Sequence, residues 1–352
     1  MTTPSNSSFT SHRQVSIEVM LLDRAEQEKG LLRGVVGGDV TLSASTRLKA
    51  SGSLELIDLG QEIDWTSDRV RITYRIRGGA SWPLGVFLLS APTKTYTDGG
   101  ASWKVELLSK LSLLDEDCVE VPTQVGTASP ALSLLQLQSA LVDVGKADIT
   151  DSPARLASTM TWDAGTPRLT IFNDVLEAIG YWSMNVSGAG AFQIRPYVPP
   201  AQRPLSWGFT EGEAAIHLPE WSREQDLAGI PNKVVLVSQG GNDNPALVGV
   251  ASNTDPSSPA SYPSRGRWVT KTETGVEAAS QEVITQLAQK KLLEAQTAIA
   301  KIELEHLPVP IWTNDLVEFS SQGVRTRATV QSIKYTLSPD GLCKTTLREV
   351  QQ

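Results

Sequence analysis

The three histidines, His12, His217 and His306, are the side chains best suited to hold a metal or move a proton near neutral pH. They lie far apart in sequence. None sits in an H-x-x-x-H or H-E-x-x-H spacing, which on a helix would aim two imidazoles at one zinc ion. Glu303, Glu305 and His306 form the best metal candidate. On a strand, residues two apart share a face, so the two glutamates would point together and His306 away from them. A solvated strand face is the plainer reading. Asp115-Glu116-Asp117 could be offered as a paired acid and base for glycoside hydrolysis, but adjacent carboxylates rarely aim at one substrate. That run reads as a solvated loop at a strand end. Asn242-Asp243-Asn244 has oxygens for Ca²⁺ without the twelve-residue loop that would organise them, and reads as a loop tip.

The remaining chemistry is equally sparse. Gly188-Ala189-Gly190 and the Gly34, Gly37, Gly38 cluster carry neither the Lys-Ser/Thr of a phosphate loop nor a following helix signal, and read as tight turns. No G-x-S-x-G nucleophile elbow occurs. Cys118 and Cys343 have no motif neighbours. Two thiols in 352 residues fit a reducing compartment, with one bridge between them as the alternative. No catalytic, cofactor-binding or metal-binding residue is assigned, and no cofactor is expected. The nine tryptophans are spread along the whole chain, which suits cores and protein interfaces better than one sugar-binding platform.

The net charge is -8, with arginines densest at Arg69, Arg71, Arg75 and Arg77. A whole-chain basic footprint for nucleic acid is missing, so any DNA that meets the chain is expected to be repelled or to slide and not to bind tightly. The opening residues MTTPSNSSFTSHRQ have no apolar segment of the signal-peptide kind. No apolar run reaches the roughly 18 residues of a membrane span.

The elements that would position these groups are mostly strands. Val15, Ile17, Val19 and Leu21 alternate with polar residues, as do Val70, Ile72, Tyr74 and Ile76, and Trp103, Val105 and Leu107. Period two with one apolar face predicts half-buried strands. Leu84 to Leu89 is continuously apolar, as in a strand covered on both faces. Turn signals at Gly37-Gly38-Asp39, Gly78-Gly79 and Asp98-Gly99-Gly100 separate these runs, which predicts an antiparallel barrel or sandwich over 14–118, after a disordered or partner-ordered segment 1–13.

The texture then changes. Ser129-Pro130 reads as a helix start, with Leu134, Leu137 and Leu141 on one face. A second helix is predicted over 170–179, striped by Phe172, Val175, Leu176 and Ile179 and ended by Gly180. A hairpin follows, with Trp182, Met184 and Val186 facing Phe192 and Ile194. Four prolines in residues 196–204 mark an extended linker. Residues 119–205 thus read as a mixed α/β domain.

Strand texture returns at 233–238, and a short apolar run stands at Leu247–Ala251. Thr274-Gly275-Val276-Glu277 matches a capping box and predicts a helix to about Ala295. Ile302 and Leu304 alternate again. Ala328, Val330 and Ser332 give way to Ile333, Tyr335 and Leu337, a phase jump of the β-bulge kind. Pro339-Asp340-Gly341 turns the chain into a closing hairpin. Residues 206–240 and 298–352 are read as one β unit, interrupted by an α+β segment over 241–297.

Several stretches resemble the minor tail proteins, or baseplate (tail tip) hub proteins, of long-tailed bacteriophages infecting actinobacteria. They are Leu84–Pro92, Trp103–Leu111, Met160–Gly165, Ile230–Val235, Asn253–Pro256, Arg265–Trp268 with Thr272–Glu277, and Thr345–Val350. The order and spacing of these strings, from Val15 to Val350, carry the resemblance. It implies a mainly β fold with α+β insertions and two barrel-like β domains per chain, the second split by an insert. It implies a siphophage virion protein closing as a homotrimer at the tail tip. The implied partners are the distal tail protein, the tape-measure protein and tip or receptor-binding proteins, with DNA ejected through the ring. No catalytic residue is carried over from such hubs, and no enzyme activity is expected. The competing reading is a carbohydrate-binding or cell-wall-degrading tail protein.

Overall fold

A computed structural model of the protein describes residues 9, 13–128, 130, 146–156, 159–213, 215–224, 229–238, 246–276, 280–295 and 300–350. His12, the helix expected over Leu134, Leu137 and Leu141, and the turn at Asn242–Asn244 lie outside them. The chain divides into two compact units, one of residues 1–221 with 303–350 and one of 222–302.

The larger unit begins with seven strands: β1 (Val15–Leu22), β2 (Glu28–Leu31), β3 (Val35–Ser43), β4 (Ala50–Ile57), β5 (Arg69–Ile76), β6 (Ser81–Thr97) and β7 (Gly100–Ser109). Alternation places Val70, Ile72, Tyr74 and Ile76 of β5 inside, with Arg71 and Arg75 outward. The continuous apolar start of β6 is buried on both faces, while its last residues are exposed. Phe9, in the segment expected to be disordered or ordered by a partner, is instead buried by the chain itself. Its ring lies 6.3 Å from Trp82 and 5.1 Å from Trp207. An aromatic side chain in an otherwise polar leader finds a pocket between two tryptophans.

After β7 come α1 (Ser112–Asp115), β8 (Thr123–Val125), β9 (Ala147–Ile149), β10 (Met160–Trp162), α2 (Arg168–Ala178), β11 (Asn185–Val186) and β12 (Phe192–Ile194). Phe172, Val175 and Leu176 of α2 are fully buried with Leu111, Leu114, Met184 and Ile194 in one core. Gly180, in the left-handed region at φ 73°, ends the helical stretch. The proline-rich segment contains one 3₁₀ turn, Pro200–Gln202, and leads into β13 (Leu205–Thr210) and β14 (His217–Glu224).

The smaller unit holds β15 (Lys233–Ser238), β16 (Val248–Ser252), α3 (Tyr262–Arg265), β17 (Thr270–Val276) and α4 (Gln281–Ala295). β15 lies between an antiparallel β16 and a parallel β17. Val234, Leu236 and Ala251 pack against Ile284, Ala288 and Leu292 of α4. β15, read from sequence as part of the second β unit, therefore pairs within this sheet. The capping-box residues Thr274 and Val276 belong to β17. α4 begins at Gln281, where the Ser280 hydroxyl accepts from the Val283 N–H at 3.3 Å. A ladder with β15 outweighed the local helix signal.

The chain closes with β18 (Lys301–His306), β19 (Leu316–Ser321), β20 (Val324–Thr336) and β21 (Cys343–Glu349). Thirteen strands form one sheet in the order β14-β18-β21-β20-β3-β4-β7-β6-β5-β1-β2, with β19 also beside β20 and β13 beside β19. This order does not close on itself among the described residues, so the two expected barrels are not seen as closed barrels. The reason is β20. One edge of it pairs with β19 along Val324–Thr329 and then with β3 along Ser332–Thr336, while β21 takes the other edge. Its register shifts between Val330 and Ser332, at the phase jump visible in the sequence. One long bulged strand thus joins the N-terminal and C-terminal strands into a single sheet.

Candidate interaction surfaces and buried polar sites

Two of the three histidines meet inside the larger unit. The His306 ring packs 4.8 Å from Phe209, and His217 lies 5.7 Å from Phe319. His306 Nδ1 is 2.8 Å from the Leu307 carbonyl, and Nε2 is 2.7 Å from the Thr345 hydroxyl. Nδ1–H therefore donates to the carbonyl, and Nε2 accepts from the hydroxyl. Burial pushes His306 down to about 4, with the neighbouring His217 and Arg13 adding to the effect against the Leu307 carbonyl. Burial also lowers His217. Both rings are held neutral near pH 7, as packing groups. Glu303 and Glu305 face outward on β18 while His306 faces in, and Glu303 lies 3.5 Å from Lys344. Among the described residues, no group of three or more His, Cys, Asp or Glu could hold a metal ion.

The acidic run diverges. Asp115 ends α1, not a strand, and pairs with Arg47 at 2.5 Å. Asp117 pairs with Arg168 at 2.5 Å. Arg47 also donates to the Thr170 hydroxyl at 2.8 Å. The carboxylates thus pin α2 beside the β3–β4 turn, where they can do no acid–base work as a pair. Cys118 and Cys343 are free thiols, and burial raises Cys343 strongly. No helix of the described residues is long and apolar enough to cross a membrane.

Sequence reading missed a buried ion cluster. Lys110 is fully buried and donates to Glu26 and, at 2.6 Å, to the Gly190 carbonyl. Arg69 reaches the same carboxylate at 2.7 Å, with both side chains only 5% exposed. Desolvation lowers Lys110, offset by Glu26. The cluster ties β5, the end of β7 and the Ser187–Ala191 turn together. The available signal was a lone lysine inside the apolar run Leu107–Leu114. Its partners lie 84 and 80 residues away.

The outer surface carries exposed apolar side chains in one neighbourhood. Leu31, Val36, Ile57 and Leu59 are each at least half exposed. The segment around Gly34 crosses the segment 57–61: Ile57 N–H donates to Gly34 O at 2.8 Å, and Gln61 donates to Leu31 O at 3.1 Å. Bare aliphatic groups so grouped are what an interface covers. The hairpin formed by the ends of β6 and β7 carries Tyr96, 75% exposed, with Lys94 over its ring and over Trp103. The terminal strands of the sheet are guarded. β2 holds Glu28 and Lys29, and β14 holds Pro219, Glu220 and Glu224, residues that discourage indiscriminate strand addition.

The whole chain can be superposed on solved proteins. A tail protein from Neisseria meningitidis MC58 matches with a TM-score of 0.66 at 11% identity, covering 95% of this chain and 97% of that one. The 43 kDa tail protein of prophage MuSo2 from Shewanella oneidensis matches with 0.66 at 12% identity, covering 94% and 98%. The chain has the fold of phage tail proteins. Prophage tail protein gp18 from Listeria monocytogenes EGD-e shares it less closely, with a TM-score of 0.53 at 12% identity over 94% of each chain. No family model and no curated protein matches the sequence. The superposition spans the α+β unit set between β14 and β18 as well as the strands around it, since 94–95% of this chain is covered. It does not depend on the short strings that resemble actinobacterial phage proteins.

Proposed function

We propose that this chain is a structural virion protein of a phage tail tip: a hub that closes as a homotrimer around the tail axis. On this reading it joins the tail tube and distal tail protein to tip and receptor-binding components, meets the tape-measure protein in the lumen, and forms part of the channel through which DNA leaves. A siphophage of actinobacteria is the proposed source. The reading rests on the tail-protein fold, which covers nearly all of this chain and nearly all of two solved tail proteins. It is supported by the exposed aliphatic group at Leu31, Val36, Ile57 and Leu59, which three-fold closure would bury. It is also supported by the guarded strands at the sheet ends, which favour finite assembly over fibres.

No catalytic role is proposed. The net charge of -8 suits a channel wall that lets DNA slide. Mass photometry of the purified chain tests the reading. A species of three chain masses is expected, and a strict monomer that clears cell-wall glycan in a zymogram would replace the reading with the lytic one.

A further inference from the structure

An open cavity of about 250 Å³ lies within the larger unit, where three segments meet. They are the β3–β4 turn at Ala44 and Lys49, the β11–β12 hairpin with the chain that follows it, and the turn Thr313–Asp315. The hairpin supplies one wall. Asn185 pairs with Gln193 in antiparallel register. The register slips by one residue before Tyr181 pairs with Pro196 and Trp182 N–H donates to the Arg195 carbonyl at 3.0 Å. Ser183, Asn185, Gln193 and Arg195 all line the cavity. The other hairpin face, with Met184, Phe192 and Ile194, is buried in the core. The hairpin and its flanks therefore deliver four polar side chains to the cavity. Among the described residues, the half-buried side chains of Ser183, Asn185 and Gln193 make no hydrogen bond, so their donors and acceptors are open to a ligand.

The bulge of β20 holds the opposite side. Ala44 N–H donates to Gln331 O at 2.7 Å, Asn314 N–H to Val330 O at 2.8 Å, and Val330 N–H to Asp315 O at 2.9 Å. The irregular strand thus anchors two of the three segments. Lys49 and Asn314 both have left-handed backbones, at φ 62° and 69°. Asparagine tolerates this region, but lysine is strained in it, and such strain gathers at functional sites. Arg203 lies 4.9 Å from the Trp182 ring and donates to Asn314 O at 2.8 Å, fixing the aromatic part of the wall. Burial lowers Lys49 and raises Asp315, so both are partly withdrawn from solvent. Arg195 is paired with Asp148, and the Lys49 ammonium donates to the Ala44 carbonyl at 2.7 Å, so Lys49, Arg195 and Arg203 stand against Asp315 and Asp148, an excess of one cation.

We propose that this cavity binds a saccharide carrying a carboxylate. The amides of Asn185 and Gln193 and the Ser183 hydroxyl match ring hydroxyls, and the one cation in excess among Lys49, Arg195 and Arg203 matches the acid group. The volume falls just under the roughly 300–1,000 Å³ of pockets for drug-sized ligands, which suits a single ring better than a long chain. The proposal is independent of trimer formation.

The test is saturation-transfer NMR and calorimetry on the full chain, with D-glucuronate, D-glucose and inorganic phosphate as probes. Glucuronate should bind saturably below about 10 mM, and glucose and phosphate each about tenfold more weakly or not at all. Asn185→Ala combined with Gln193→Ala should weaken glucuronate about tenfold with an unchanged melting curve. Should that variant unfold, Ser183→Ala decides, with an expected loss of about threefold. Three results would overturn the proposal: no saturable glucuronate binding, phosphate bound as well as glucuronate, or binding indifferent to the wall substitutions.

Discussion

Acidification should weaken the larger unit through one buried imidazole. His306 is completely enclosed by Phe209, the Leu307 carbonyl, the Thr345 hydroxyl, His217 and Arg13, and its value falls from 6.5 to about 4. The folded state therefore holds it neutral, while the unfolded chain takes up a proton below pH 6.5. Its contribution is fully present above pH 6.5 and is lost as pH falls toward 4. Each pH unit in that window shifts the unfolding free energy by about 1.4 kcal/mol, so the whole traverse amounts to about 3 kcal/mol. Protonation would also give Nε2 a hydrogen facing the Thr345 hydroxyl and a charge beside Arg13. The assay is urea unfolding of the wild type and of His306→Gln at pH 7 and pH 4.5. Glutamine cannot take up the proton, so the wild type should lose about 2–3 kcal/mol more than the variant between the two values. Other titrating groups cancel in that difference. Equal losses in both proteins would refute the assignment of a neutral, desolvated His306.

Two stability predictions follow from close contacts elsewhere in the same unit. Lys110→Ala leaves Glu26 buried with Arg69 alone and the Gly190 carbonyl without its donor, so unfolding in urea should show a loss of about 3–5 kcal/mol. A loss under about 1 kcal/mol would mean that water reaches the cluster. Gly188→Ala would set a Cβ 2.2 Å from the Pro83 carbonyl oxygen, a backbone atom that cannot swing aside, so thermal unfolding should report about 1–3 kcal/mol of destabilisation, and an unchanged melt would mean the turn shifts freely.

Much of the strand layout was legible because one buried face imposes period two. β1, β5 and β7 could be placed from Val15–Leu21, Val70–Ile76 and Trp103–Leu107 alone. The bulge of β20 was readable as a phase jump, since an extra residue must invert every later side chain. Joining the strands into one sheet was not readable. It depends on β20 changing partners from β19 to β3, and Ser43 and Ser332 are nearly three hundred residues apart. Local signals also lost to tertiary pairing, as when β17 claimed the capping-box Thr274. Phe9 was hidden by its polar neighbours, because composition averages over the one side chain that packs. Of the proposed saccharide cavity, only the hairpin wall could be read from alternation. Lys49 and Asp315 arrive from distant turns, and nothing in their own neighbourhoods marks them.

The proposed role is tested most directly by a cryo-EM reconstruction of the phage particle that carries this chain. The account predicts three copies closed around the tail axis at the end of the tube, with Leu31, Val36, Ile57 and Leu59 buried between neighbouring chains. Single copies attached away from the axis, with those four side chains still facing solvent, would contradict it.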